Sequence, residues 1–311
     1  KVGKVGPFGG KCLVIVDGVH QYLPFFSEYQ EKLKHLSDIQ YTFDVGMGNN
    51  FISLWSYYLS SPFNLIIILF SKKSLPMALN IIISFKIILG AVCFAYMLLH
   101  LSKKSEKNLF AVAVSLFYAF SSFVVGYYWN LMWLDCIFIF PIIILGMEKM
   151  MKKRDSRMYV LALLYSFICN YYISFMICMF LVLWFFTFSF KSVSDFFFKG
   201  VRFAVASITT AMLSAVVLLP AYKGIMTTAS AEFELPEWEF YGTFADTLRS
   251  HLFCSEVLTN QIGDAGTNLY CGILTILFAF MFFFMKGISR EKKVKYAFLL
   301  VLLVVSFNNV E

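Results

Sequence analysis

Residues 158–190, MYVLALLYSFICNYYISFMICMFLVLWFFTFSF, run for 33 positions without a charged side chain, and a basic segment flanks the run at each end. A helix crosses the hydrocarbon core of a bilayer with about 20 apolar residues. A single crossing would leave residues over and place the two basic flanks on opposite sides. Lys and Arg collect on the cytoplasmic side of membrane proteins, so the flanks belong together. The run therefore crosses twice, turning near Asn170-Tyr171-Tyr172.

The same pattern recurs along the chain. Apolar stretches at 76–101, 109–126, 131–148, 158–169, 172–190, 200–220, 268–286 and 296–310 read as about eight spans. The links SKKSEK (102–107), EKMMKKRDSR (148–157), KSVSDFFFKGVR (191–202) and KGISREKKVK (286–295) hold 16 of the 26 Lys and Arg residues. The alternate links GYYWNLMW (126–133) and NYY (170–172) hold none, and loop 221–267 has only Lys223 and Arg249 against seven acids. This charge pattern places residues 1–75 and loop 221–267 outside, with residues 76–311 as the transmembrane region. Segment 51–70, FISLWSYYLSSPFNLIIILF, is long enough to cross, but Pro62 interrupts it and a crossing there would reverse every later loop. It reads as an interfacial or re-entrant helix pair.

Composition agrees, and excludes a soluble globule. The chain is 59% hydrophobic and 14% charged, against about 25% charged in soluble domains. The net charge of +7 lies in short clusters between apolar runs, so nucleic acid is not the expected partner. Seven cysteines form no CxxC pair. Cys93, Cys136 and Cys178 fall in or beside apolar runs, and only Cys12 and Cys254 look loop-borne, which argues against a disulfide framework. The four histidines, 20, 35, 100 and 251, have no zinc-ligand spacing.

Four polar features stand out. In CLVIVDGVHQYLPFF (12–26) an apolar run ends at Asp17. A carboxylate at a lipid–water boundary is a stronger base than a solvated one. On spacing alone, however, a cap for the helix starting near Gln21 is the favoured reading of Asp17. TFDVGMGNNF (42–51), with Asp44, could present backbone N–H groups to a phosphate or sugar, but a tight turn accounts for the same residues. YYWNLMWLD (127–135) is an interfacial aromatic belt, except that Asp135 lies just inside a span, where charge is costly. Lys86 lies about 15 Å along the span that starts at 76, and needs Asp135 or a lipid phosphate as its partner.

Together DGVHQYLPFF (17–26), GMGNNF (46–51), YYLSSPFN (57–64), YYWNLMWLD (127–135) and NYYISFM (170–176) resemble the YfhO family of bacterial membrane proteins, which belongs with GT-C type glycosyltransferases. The resemblance covers essentially the whole chain and implies an all-α, polytopic helical bundle with an external first loop. It also implies a longer parent protein, of which this is the N-terminal portion. By the same resemblance the donor is a polyprenyl-phosphate-linked sugar. The acceptor is a cell-envelope polymer or glycolipid, such as lipoteichoic acid, on the outer face of a Gram-positive bacterium.

The essential acid of the first external loop then maps to Asp17. A phosphate leaves without protonation, so one general base that deprotonates the acceptor hydroxyl suffices and gives inversion. His20 and Lys86 are candidates beside the leaving phosphate. Gln21, Tyr22, Asn50, Tyr58, Asn130, Asp135 and Asn170 complete the expected substrate-binding set. A divalent ion, Mg²⁺ or Mn²⁺, held by Asp17 and Asp135 fits the same chemistry. Two rival readings stand: a lipid or polymer flippase, for which Lys86, Asp135 and the Pro62 break are a partial fit, and a non-enzymatic scaffold for envelope assembly.

Overall fold

The computed structural model describes residues 5–6, 9–36, 38–102, 109–227, 243–252, 255, 257–259 and 268–305. The acidic run 232–240, Cys254 and most of SKKSEK lie outside the described residues. The fold is all-α. Among the described residues the one sheet is a hairpin of β1 (Tyr41–Thr42) and β2 (Asn49–Asn50). The helices are α1 (Leu23–His35), α2 (Phe51–Leu54), α3 (Leu75–Ser102), α4 (Leu109–Ala119), α5 (Ser122–Tyr127), α6 (Leu131–Lys153) and α7 (Arg157–Cys169). They continue as α8 (Tyr171–Phe185), α9 (Val193–Leu213), α10 (Ala215–Ile225), α11 (Phe244–Ser250), α12 (Ile273–Phe284) and α13 (Arg290–Val305).

Three helical segments are long and apolar enough to cross a membrane singly: Lys72–Ser102, Leu131–Lys153 and Val193–Leu213. Shorter apolar helices, Leu109–Ala119, Arg157–Cys169, Tyr171–Phe185 and Ile273–Phe284, fall within four more of the expected spans, give or take a residue, and Arg290–Val305 covers the described part of the last. Two of the expected spans differ in detail. Span 109–126 is broken at Phe120–Ser121 into α4 and α5, and the helix expected at 200–220 starts earlier, at Val193, and breaks at Ser214. Segment 51–70 is bent, with α2 and a π turn (Trp55–Leu59) meeting a 3-10 helix (Pro62–Leu69) at 102°. Proline disfavours helical geometry in the residue before it, and Ser61 is extended while Pro62 opens the second helix.

The turn at Asn170 has a local cause. Its backbone is extended, at φ −161° and ψ 109°, and its side chain accepts the Ile173 N–H at 2.9 Å, capping α8. An Asn that leaves helical geometry and satisfies the next helix's first donors stops one helix and starts another.

α3 packs on α4 and α6, and α6 on α7. The α6–α7 approach is close at Gly146, where a Cβ would stand 2.6 Å from the Tyr159 nitrogen. Small residues permit such backbone contact between membrane helices. One apolar cluster joins residues 14–67 of the first loop to the starts of α3 and α6, and a second joins α6–α9 with Leu299. The first positions the polar groups described next.

Candidate functional site

The segment before α1 is fastened to α3. Asn80 Oδ1 accepts the Leu13 N–H at 2.8 Å and the Cys12 thiol at 3.3 Å. The chain then turns at Val16, whose φ is +49°. A β-branched residue in the left-handed region is an outlier that costs on the order of 1–3 kcal/mol and persists only where its surroundings impose it. Gly18 makes the turn possible, since a Cβ there would stand 2.9 Å from the Val14 Cγ1. The strained turn delivers Asp17.

Asp17 stands at the cap position of the π turn Gly18–Tyr22 that leads into α1, yet its side chain makes no capping hydrogen bond. The cap favoured by spacing is therefore absent, because Asp17 itself already has helical φ and ψ where a capping residue is extended. Among the described residues its half-buried carboxylate has no hydrogen bond or ion pair, while its charge acts on the phenols of Tyr58 and Tyr22.

Around it lies a polar and aromatic cluster. Tyr58 donates its hydroxyl to Gln21 Oε1 at 3.1 Å, and Tyr22 donates to Asn130 Oδ1 at 3.2 Å. The Tyr22 and Tyr58 rings meet edge-on at 5.6 Å, and Tyr57 contacts both Tyr58 and Tyr171. Asn170 Nδ2 donates to the Tyr57 carbonyl at 3.3 Å. Burial pushes the Tyr22 phenol well above its usual range, reinforced by the neighbouring Tyr58 and Tyr57 and by Asp17. It stays a neutral donor. Tyr58 sits in one π turn and Gln21 and Tyr22 in another, and π turns within helices occur often at functional sites.

The structure thus brings together Asp17, Gln21, Tyr22, Tyr58, Asn130 and Asn170. Phe25, Tyr57 and Tyr171 join them and were missed, although Tyr57 and Tyr171 adjoin residues already singled out. His20 is exposed, and its side chain makes no hydrogen bond among the described residues. Asn50 accepts the Ser53 N–H at 3.2 Å as the cap of α2. Gly46, Met47 and Gly48 have positive φ in an exposed hairpin loop, so the tight-turn reading of DVGMG fits.

Lys86 and Asp135 form a separate centre. The two are ion-paired with no exposed side-chain surface on either. Lys86 also donates to the Leu131 carbonyl at 3.0 Å, and Asp135 Oδ1 accepts the hydroxyls of Ser61 at 2.9 Å and Tyr165 at 2.7 Å. Both side chains are committed, which corrects the expectation that Lys86 meets a leaving phosphate. A cation shared by Asp17 and Asp135 would have to displace the Lys86 ammonium from Asp135. The described geometry does not fit that shared ion.

An all-α fold with apolar helices of membrane-crossing length, enclosing a buried ion pair, defines a helical membrane protein. The family described as bacterial membrane protein YfhO matches residues 2–310, and the chain belongs to that family. Comparisons with curated proteins and with solved structures returned no match.

Proposed function

We propose that the protein is a membrane glycosyltransferase that moves a sugar from a polyprenyl-phosphate donor to a cell-envelope polymer or glycolipid acceptor, such as lipoteichoic acid, on the outer face. The observation that carries this reading is the Asp17 carboxylate, without a hydrogen bond or ion pair among the described residues and held on a strained turn beside the Gln21, Tyr22 and Tyr58 polar groups. A carboxylate with no structural partner is free to take a proton. One Asp17 oxygen accepts the proton of the acceptor hydroxyl as that oxygen attacks the anomeric carbon. The bond from that carbon to the phosphate oxygen breaks, and the polyprenyl phosphate leaves with the electron pair. Attack opposite the leaving group inverts the sugar. His20, exposed three residues on, is the candidate to meet the phosphate when protonated.

The accompanying topology has about eight spans, with residues 1–75 and 221–267 outside, and rests on the basic links. Incubation of the purified full-length protein with a radiolabelled polyprenyl-phosphate sugar and an envelope acceptor tests the reading. Label in the acceptor supports it, and its absence with intact donor bound opposes it. The flippase reading draws on the buried Lys86–Asp135 pair and the bent helices, features also found at transport sites. It expects the donor to change leaflets with its sugar still attached.

A further inference from the structure

Stability does not account for the Lys86–Asp135 pair. Desolvating two charges can offset their attraction, and well-packed apolar residues in such places are often as stable or more so. What an apolar pair cannot do is aim an acceptor. Asp135 Oδ1 is aimed at two hydroxyls, Ser61 at 2.9 Å and Tyr165 at 2.7 Å. Ser61 is the extended residue at the break where the two helices of segment 51–69 meet at 102°.

The consequence runs up the chain from that break. Tyr58 lies three residues before Ser61 in the π turn Trp55–Leu59, and it reaches Gln21 at 3.1 Å, four residues beyond Asp17. Lys86 fixes Asp135 and, through the Leu131 carbonyl, the start of α6 next to Asn130. Other ties in the same region, Ser60 to the Ile168 carbonyl and Asn170 to the Tyr57 carbonyl, hold the turn against α7 and α8. Asn64 Nδ2 also donates across the break to the Leu59 carbonyl at 3.1 Å, and of these ties the Ser61–Asp135 bond is the one that reaches the ion pair.

We infer that Lys86 and Asp135 are positioning residues, which hold the break that Pro62 makes at one place against α6, and thereby the place of Tyr58 and Gln21 beside Asp17. The effect on sugar transfer rests on the function proposed above, while the effect on the hinge does not.

The test uses the full-length protein with its native cysteines replaced and spin labels at Met47→Cys and Leu69→Cys, two exposed sites on either side of the hinge. Distances between the labels are measured by pulsed electron resonance, with sugar transfer assayed in parallel. Lys86→Met with Asp135→Leu removes the pair without stranding a charge. The expected result is a folded protein whose distance distribution is at least twice as wide and whose transfer falls about 10²-fold, the loss that a misplacement of about 1 Å can cause. Ser61→Ala should reproduce both effects should the double variant not fold, and Ser61→Thr, which keeps the hydroxyl, should restore them. An unchanged distribution in the double variant or in Ser61→Ala overturns the inference, whatever happens to transfer. A widened distribution in a protein whose parent transfers no sugar supports the hinge role and removes the transferase reading instead.

Discussion

Lys86 on α3 and Asp135 on α6 are joined with no solvent-accessible surface on either side chain. Breaking such a pair from one side leaves an uncompensated buried charge, which costs about 3–5 kcal/mol. Lys86→Met alone should therefore lower the unfolding free energy of the detergent-solubilised protein by that amount. Lys86→Met with Asp135→Leu should recover most of it. Denaturant unfolding of both variants checks the difference.

Gly146 sets the spacing of α6 and α7. A Cβ there would meet the Tyr159 nitrogen at 2.6 Å and its Cα at 2.7 Å, and backbone cannot swing aside. Gly146→Ala should destabilise by about 1–3 kcal/mol. Gly200→Ala is the control, because its nearest neighbour would be the Phe185 ring edge at 3.7 Å, an ordinary contact. Thermal unfolding of the two variants should separate them clearly.

The Tyr22 phenol titrates well above the model-compound value of 10.0, chiefly because it is buried. A group whose folded pKa is raised keeps its full contribution below the unfolded pKa and loses stability as pH rises through the folded value. The protein should therefore hold its Tyr22-linked stability up to about pH 10 and lose it above. Tyr22→Phe removes the ionisable group and should flatten that alkaline loss. Unfolding measured from pH 8 to 11 shows whether it does.

Sidedness is separately testable. With native cysteines replaced, Met47→Cys should react with a membrane-impermeant thiol reagent in intact cells, and Ser156→Cys only after permeabilisation. Met47 is almost fully exposed on the hairpin loop, and Ser156 lies in the basic link between α6 and α7. Labelling of Ser156→Cys in intact cells with Met47→Cys protected would reverse the topology.

Much of the fold is legible because apolar length and basic links are strong, local signals. The division of 158–190 into two helices was expected from charge on both flanks, and the turn falls on Asn170 for a reason visible in the residue type: Asn caps helices well. The bend at 51–70 follows from Pro62. The breaks at Phe120–Ser121 and Ser214 have no comparable marker, since Ser is tolerated inside apolar helices. The Lys86–Asp135 partnership was readable because a lone charge at that depth is too costly. Its ties to Ser61 and Tyr165 join residues far apart in the chain, which spacing cannot show. Asp17 illustrates the opposite case. Sequence position favoured a cap, and the helical backbone of Asp17 shows why its side chain makes no capping hydrogen bond. Asn50 sits in a motif and was expected to bind substrate, and its side-chain oxygen caps α2.

The central claim is that Asp17 is the general base. Asp17→Asn keeps the shape of the side chain and removes its ability to take a proton. The decisive measurement is sugar transfer and donor binding, side by side, for the full-length protein and this variant. Transfer should fall by about 10²–10⁴-fold, the usual loss for a general base, while donor affinity stays within a few-fold and the protein remains folded. Near-normal transfer by Asp17→Asn, with donor still bound, would contradict the claim and remove Asp17 from the chemistry.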